Sequence, residues 1–232
     1  MINIIFQDKA IIVCEKPIGV LSERGHNTRE KCMPNMLEKL TKTYRIDVVH
    51  RLDKAVGGLM VFSKNSKASA GLSGAIASHK MKKQYLAVVA GCPDEKEGQW
   101  CDFLFRDKSK NKSFVVKKLR TGAKEAILNY KVLDTIEVND GVVSLLQISL
   151  QTGRTHQIRV QCASRKMPLL GDEKYGSRIH TKNIALWSNR LAFDHPVTKK
   201  PIDITLDPPK TEPWIWFNQE TLQLTQCSHC PY

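Results

Sequence analysis

Acidic residues are scarce in this 232-residue chain: 23 Asp and Glu stand against 36 Lys and Arg, a formal net charge of +13. That balance excludes an acidic, self-solvating polypeptide and nominates a polyanionic partner. An excess of cations gains affinity through counterion release and speeds encounter, although it does not separate RNA from DNA. Long apolar runs are absent as well. The uninterrupted ones are short, such as Leu86 to Ala90, against the roughly 20 residues that a membrane helix needs. Met1 to Phe6 is apolar but carries neither a basic flank nor a small-residue cleavage site, so it reads as a strand rather than an export signal. A cytoplasmic protein with no membrane contact is the expectation.

Paired metal ligands are also missing. Seven cysteines are scattered in an odd number, which suits reduced thiols better than a disulfide framework. Only Cys227 and Cys230 have ligand spacing, with His229 between them. No second Cys-x-x-Cys completes a tetrahedral set, so a frayed tail is the plainer reading and no metal is expected. Aromatics are few, at 7%, and Phe103, Phe105 and Phe114 lie among basic residues in the middle of the chain. Such residues can stack on bases, but the inward-facing pattern of a sheet favours a core role. No Pro/Gly/Ser-rich linker and no internal repeat divide the chain. One domain is expected over residues 1–232, with a motif-bearing core of about 10–209 and a tail of about 210–232.

What is present is a mixture of strand and helix patterns. Ile2 to Ile5 and Ala10 to Glu15 are β-branched apolar runs, followed by a turn at Lys16-Pro17-Ile18-Gly19. Pro34 suits the first turn of a helix with Met36, Leu37, Leu40 and Tyr44 on one face. Strands are expected at Ile46–Val49, Leu59–Phe62 and Tyr85–Ala90, with a helix over Ser66–His79 whose face is Ala68, Leu72, Ala75, Ile76 and His79. From Gln99 to Leu150 the pattern is antiparallel, marked by a hairpin at Asp140-Gly141. A short helix over Thr155–Ala163 and a strand at Leu191–Phe193 before His195-Pro196 complete an α+β reading with a large, mostly antiparallel or mixed sheet.

Two segments place polar residues inside apolar surroundings. In Val48-Val49-His50-Arg51-Leu52-Asp53-Lys54-Ala55-Val56-Gly57-Gly58-Leu59 a carboxylate follows a strand end and an arginine. Neighbouring cations would keep that carboxylate ionised, as a nucleophile requires; the plainer reading is a surface Arg–Asp pair at a turn. In Leu150-Gln151-Thr152-Gly153-Arg154-Thr155-His156-Gln157-Ile158-Arg159-Val160, Thr155 can cap a helix whose free N–H groups attract phosphate. Arg154 and Arg159 can each fork onto carboxylate or phosphate, and the plainer reading is a capped helix with two solvated arginines. His50 and His156 each sit beside or near an arginine without a carboxylate at ligand spacing, which favours structural or RNA-positioning roles over a metal.

In combination these blocks are no longer generic. His-Arg-Leu-Asp at 50–53, Thr-Gly-Arg-Thr-His-Gln-Ile-Arg at 152–159 and Pro168-Leu-Leu-Gly-Asp-Glu-Lys-Tyr-Gly176 occur in order. Lys82-Lys-Gln-Tyr-Leu-Ala87 lies between the first two, Val13 to Gly19 opens the series, and Leu191 to Pro196 closes it. The whole pattern resembles the RNA pseudouridine synthases of the His-Arg-Leu-Asp type, over about residues 10–209. The resemblance implies a pseudouridine synthase fold, a long mixed sheet flanked by helices and loops with a central RNA cleft. It also implies isomerisation of uridines in structured ribosomal or transfer RNA, without cofactor or metal. The small N-terminal RNA-binding domain of some relatives is expected to be absent, and a monomer is the simpler expectation.

By the same resemblance, Asp53 is the catalytic aspartate, Tyr85 the active-site tyrosine that stacks on the base, and Arg159 the basic residue that holds Asp53 ionised. Arg51 would fill the space left by the flipped base, and His50, Arg154, His156 and Gln157 would contact RNA. A base within a stem must be extruded to meet a carboxylate, and it then needs an aromatic face and backbone cations. The family usually carries Thr-Ser where this chain has Val56-Gly57, a loss of hydroxyls expected to loosen the loop or its hold on Asp53. Gln161 stands where a His is common. A catalytically silent RNA-binding or assembly factor is the competing class; a hydrolase of free nucleosides is a third, disfavoured by the charge. Lys108 to Arg120, rich in lysine, is expected to help choose the RNA.

Overall fold

A computed structural model describes residues 2–25 and 29–223, so the Cys227/Cys230 pair lies outside the described residues. In chain order the elements are β1 (Ile4–Gln7), β2 (Ile11–Lys16), α1 (Met33–Thr41), β3 (Asp47–Val48), β4 (Gly57–Ser63), α2 (Ser66–Ala77) and β5 (Lys82–Ala90). They continue with β6 (Glu97–Asp107), β7 (Lys112–Val116), β8 (Ala123–Val138), β9 (Gly141–Leu150), α3 (Gln157–Ser164), β10 (Leu186–Asp194), β11 (Pro201–Thr205) and α4 (Gln219–Gln223). The fold is α+β, as the patterns indicate. Among the described residues no helix is long and apolar enough to cross a membrane. The chain divides into two compact units, Met1–Lys83 with Trp187–Leu206, and Gln84–Leu186 with Asp207–Tyr232.

The first unit is built on β1-β2-β4-β10, with β3 added to β4 and β11 to β10. Its pairings are antiparallel except β4 with β10, where Trp187 and Ser188 run parallel to Gly57 and Gly58. β4 is buried along its whole length, which explains its continuous apolar run in place of alternation. Ala10, Ile11, Val13, Leu59, Val61, Leu191 and Phe193 form a core closed by Ala68 and Leu72 of α2. Asn65 caps α2 by accepting the Ala68 N–H at 2.9 Å.

The second unit runs β5-β9-β8-β6-β7, antiparallel throughout. The Asp140-Gly141 hairpin joins β8 to β9, with Gly141 at φ +115°, a backbone region in which side chains are strained. Leu104, Ala126, Val160 and Tyr175 form a small core under α3.

Several boundaries differ from the sequence reading, each for a local reason. α1 buries Met33, Pro34 and Leu37 and ends at Thr41 with Lys42 left-handed, so Leu40 and Tyr44 are exposed. Only Asp47 and Val48 of the expected Ile46–Val49 strand pair, with Ser63 and Phe62. α2 stops at Ala77, where Ser78 bonds back to the Gly74 carbonyl, leaving His79 exposed at φ +56°. α3 begins at Gln157 with a left-handed His156 before it and no side-chain cap, so Thr155 does not cap it. Phe103 and Phe105 are half-buried and Phe114 is exposed; the core reading of these rings is therefore corrected.

Candidate active site

The loop carrying Asp53 is fixed residue by residue within the first unit. At its start the buried His50 ring accepts the Val61 N–H through Nε2 at 3.1 Å, stitching the loop to β4. Leu52 is gripped at both backbone atoms by one hydroxyl: Ser22 Oγ donates to the Leu52 carbonyl at 2.6 Å and accepts its N–H at 2.9 Å. The Lys54 carbonyl accepts the Gly19 N–H at 2.8 Å and the Lys16 ammonium at 3.4 Å. The Val56 N–H closes a turn onto the Asp53 carbonyl at 3.0 Å. Asp53 is thus half-buried between two immobilised neighbours, which is how a loop gains the precision that a reacting carboxylate needs.

Lys16 is the least expected member of this cluster. Its side chain is fully buried at the end of β2, and Nζ donates to the carbonyls of Pro17 (2.9 Å) and Val20 (2.8 Å) as well as Lys54. Burial draws its pKa down to about 8, while the nearby Asp53 carboxylate pulls the other way. Its sequence signal was a lysine closing an apolar strand, where a charge is costly without partners.

Arg51 and Lys54 point outward and pair with acids of the opening segment: Arg51 with Glu23, and Lys54 with Glu30 at 2.7 Å. These pairs are about half exposed, so they are worth only about 0–1 kcal/mol and exchange readily for other anions.

The Gly57 half of the Val56-Gly57 departure has a steric cause. A Cβ at Gly57 would lie 2.4 Å from Cζ3 of Trp187 on the parallel neighbour β10, and one at Gly58 would lie 2.3 Å from the Ser188 carbonyl oxygen. Trp187 is buried and its indole N–H donates to the Leu206 carbonyl at 3.1 Å. The ring occupies the volume that a side chain at position 57 would need.

The remaining candidates lie in the second unit. Tyr85 is buried on β5 opposite Ile148 of β9. Arg159, buried on α3, forks onto Asp172 through Nε (2.7 Å) and Nη2 (2.9 Å). Gln157 is buried: Oε1 accepts the Arg154 N–H (2.9 Å) and the Thr152 hydroxyl (2.8 Å), and Nε2 donates to the Ile127 carbonyl (3.2 Å). These bonds lock residues 152–157 against β8. Arg154 is exposed, with Nε donating to the Glu125 carbonyl at 2.7 Å. His156 bonds the Tyr175 hydroxyl through Nδ1 at 2.9 Å. The buried Gln161 donates to Asp102 at 2.7 Å. Asp172 and Tyr175 belong to the third motif, whose pattern assigns them no role, and Ser22 and Trp187 carry no sequence signal at all.

Residues 10–164 match the model of a family described as RNA pseudouridylate synthase. Among curated relatives, ribosomal large subunit pseudouridine synthase D of Borreliella burgdorferi is 35% identical over 75% of this chain and 55% of its own length. An uncharacterized RNA pseudouridine synthase of Aquifex aeolicus is 32% identical over 90% of this chain and 70% of its own. The chain thus spans only part of the relatives it matches. The solved structure of human RNA pseudouridylate synthase domain containing 4 superposes with a TM-score of 0.71 at 21% identity, covering 90% of this chain and 89% of that one. That likeness is one of fold.

Two predictions follow from the first unit. Burial, reinforced by Lys83, pushes the His50 pKa from 6.5 down to about 3. The unfolded chain takes up this proton near pH 6.5 and the folded one only near 3, so the stabilisation is complete above 6.5 and lost as pH falls towards 3. Urea melts of His50→Asn should show a shallower loss of stability across that window than the wild type. For the loop, Gly57→Ser should destabilise by about 1–3 kcal/mol through overpacking. Pairing it with Trp187→Ala should cost less than the sum of the single changes, measured as a double-mutant cycle in urea.

Proposed function

The chain belongs to the RNA pseudouridylate synthase family, and from that premise we propose that it isomerises specific uridines in structured RNA, with Asp53 as the catalytic carboxylate. The observation that carries this reading is the multiply anchored Asp53 loop beside a buried ammonium. A solvated Arg–Asp turn would have no need of a clamp on every neighbour.

The chemistry is an internal rearrangement. The Asp53 carboxylate either attacks the ribose at C1′ or takes a proton from the sugar. The N1–C1′ bond breaks, the freed uracil turns, and a C5–C1′ bond forms. The proton displaced from C5 leaves to a base and N1 gains one, so no atom is gained or lost and no redox partner is consumed. Lys16 holds the loop and places a buried cation near Asp53. Tyr85 is proposed to stack on the extruded base and Arg159 to supply the cation that keeps Asp53 charged.

Arg51 is proposed to leave Glu23 and take the place of the extruded base, an exchange that a half-exposed pair permits at little cost. Arg154 and His156 are assigned to RNA contact. His50 and Gln157, buried and bonded to backbone, serve RNA binding by shaping their loops. Several relatives are named for the ribosomal large subunit, which makes large-subunit ribosomal RNA the leading substrate, with transfer RNA second.

Selection of the RNA is assigned to the hairpin of β6 and β7 and the residues after it. Lys108, Lys110, Lys117, Lys118 and Arg120 are exposed there, Phe114 is exposed, and the Arg120 guanidinium lies 4.4 Å from the centre of the Phe105 ring. Cations interleaved with aromatics are what a nucleic-acid strand meets as phosphate and base sites.

Two measurements test these readings. Pseudouridine mapping of total RNA from cells carrying wild-type protein or Asp53→Ala should show one or a few defined pseudouridines lost in the variant. An unchanged map with RNA binding retained would instead indicate a silent binding protein. Replacing Lys108, Lys110 and Lys112 by Ala should weaken RNA binding and flatten the plot of log affinity against log salt by about 1 per phosphate contact removed; unchanged affinity and slope would remove the hairpin from the interface.

A further inference from the structure

The third sequence motif, Pro168 to Gly176, has no role in the chemistry so far, yet its Tyr175 touches more of the proposed machinery than any other residue of that motif. Tyr175 ends a 3-10 turn, Glu173–Tyr175, and is buried. Its hydroxyl oxygen accepts the Ser113 N–H of β7 at 2.9 Å. The same oxygen lies 2.9 Å from His156 Nδ1.

The ring is used as well. The Arg159 guanidinium carbon lies 5.1 Å from its centre and the Lys112 ammonium 5.0 Å, both within cation–π range. The His156 ring meets it edge-on at 5.7 Å. The turn that carries Tyr175 starts from Asp172, whose carboxylate forks onto Arg159 and whose carbonyl accepts the Tyr175 N–H at 3.0 Å. A second strap runs beside the first: Ser113 Oγ donates to the Thr155 carbonyl at 2.7 Å. One side chain therefore joins the lysine-rich hairpin, the start of α3 and the buried arginine. A residue that only filled space would need neither the hydroxyl nor two cations on its ring.

We propose that Tyr175 is a positioning residue for the isomerisation, which registers RNA held by the β6–β7 hairpin with His156 and Arg159. The inference rests on the functional reading above. When Lys112 and its neighbours take RNA phosphate, β7 and the ring of Tyr175 shift or stiffen together. Arg159, gripped by Asp172 and by that ring, is set in place by the same event.

The test uses the full chain and an unmodified large-subunit ribosomal RNA transcript, with a transfer RNA transcript as second substrate. Single-turnover pseudouridine formation at saturating RNA is measured for wild type, Tyr175→Phe, Tyr175→Leu, Lys112→Met and the double variant Lys112→Met/Tyr175→Leu, below each variant's melting range. Tyr175→Phe should slow the reaction about ten-fold, the size expected for one buried hydrogen-bonding partner lost, with RNA affinity within about three-fold of wild type. Lys112→Met should slow the wild type but have little further effect in the Tyr175→Leu background, the signature of coupled residues. If Tyr175→Leu does not fold, Tyr175→Phe decides, with exchange of the Ser113 amide as a second readout expected to quicken. Additive losses, or a lowered melting temperature with an unchanged rate at saturation, would reduce Tyr175 to a core residue and overturn the proposal. No pseudouridine from wild type on either transcript would overturn the functional reading and this inference with it, an outcome distinct from an active wild type with additive variants.

Discussion

The loop that carries Asp53 depends on a single constraint: its backbone groups must be satisfied away from water. A loop that passes beneath other chain segments leaves N–H and C=O groups that cost free energy unless each finds a partner. Here the partners come from residues 16–22. Lys16, Gly19 and Ser22 together supply donors and acceptors to Leu52 and Lys54. The Lys-Pro-x-Gly turn and the His-Arg-Leu-Asp loop, some 35 residues apart in the chain, thus form one object. The buried ammonium at its centre is tolerated because three carbonyls and a nearby carboxylate stand in for water.

Much of this was legible in the sequence where a single physical signal dominated. The buried strands β2 and β4 announce themselves as apolar β-branched runs, and the β8–β9 hairpin through Asp-Gly, because local chemistry alone decides them. The motif loops were legible as costly polar residues in apolar surroundings. What stayed hidden depended on distant partners. β11 alternates Ile202 and Ile204 but opens with Pro201, which masks an edge strand. Leu40 and Tyr44 fit a helical face by spacing, yet α1 ends too early to bury them. The left-handed His156 is set by its bond to Tyr175, a residue 19 positions away.

The two arginines of the second motif show how identical side chains divide by burial. Arg154 is exposed and bonds one carbonyl, which leaves it suited to exchange with phosphate. Arg159 is buried and held by a bidentate carboxylate, a geometry that fixes position more than it adds stability. The sequence offered both as solvated or both as functional. The structure separates them into a surface cation and an internal one, a distinction that the net charge of +13, which counts both alike, does not carry.

Trp187 beside Gly57 carries an implication for how such a loop changes over generations. The indole and a side chain at position 57 compete for one volume, so the two positions cannot vary independently. A lineage moving between a hydroxyl-bearing loop and this one must pass through an intermediate that keeps the small residue before the large ring arrives, or sheds the ring before the small residue is replaced. The order of substitutions is therefore constrained by sterics: a side chain regained at position 57 beside the ring meets a clash, whereas loss of the ring first leaves only a cavity.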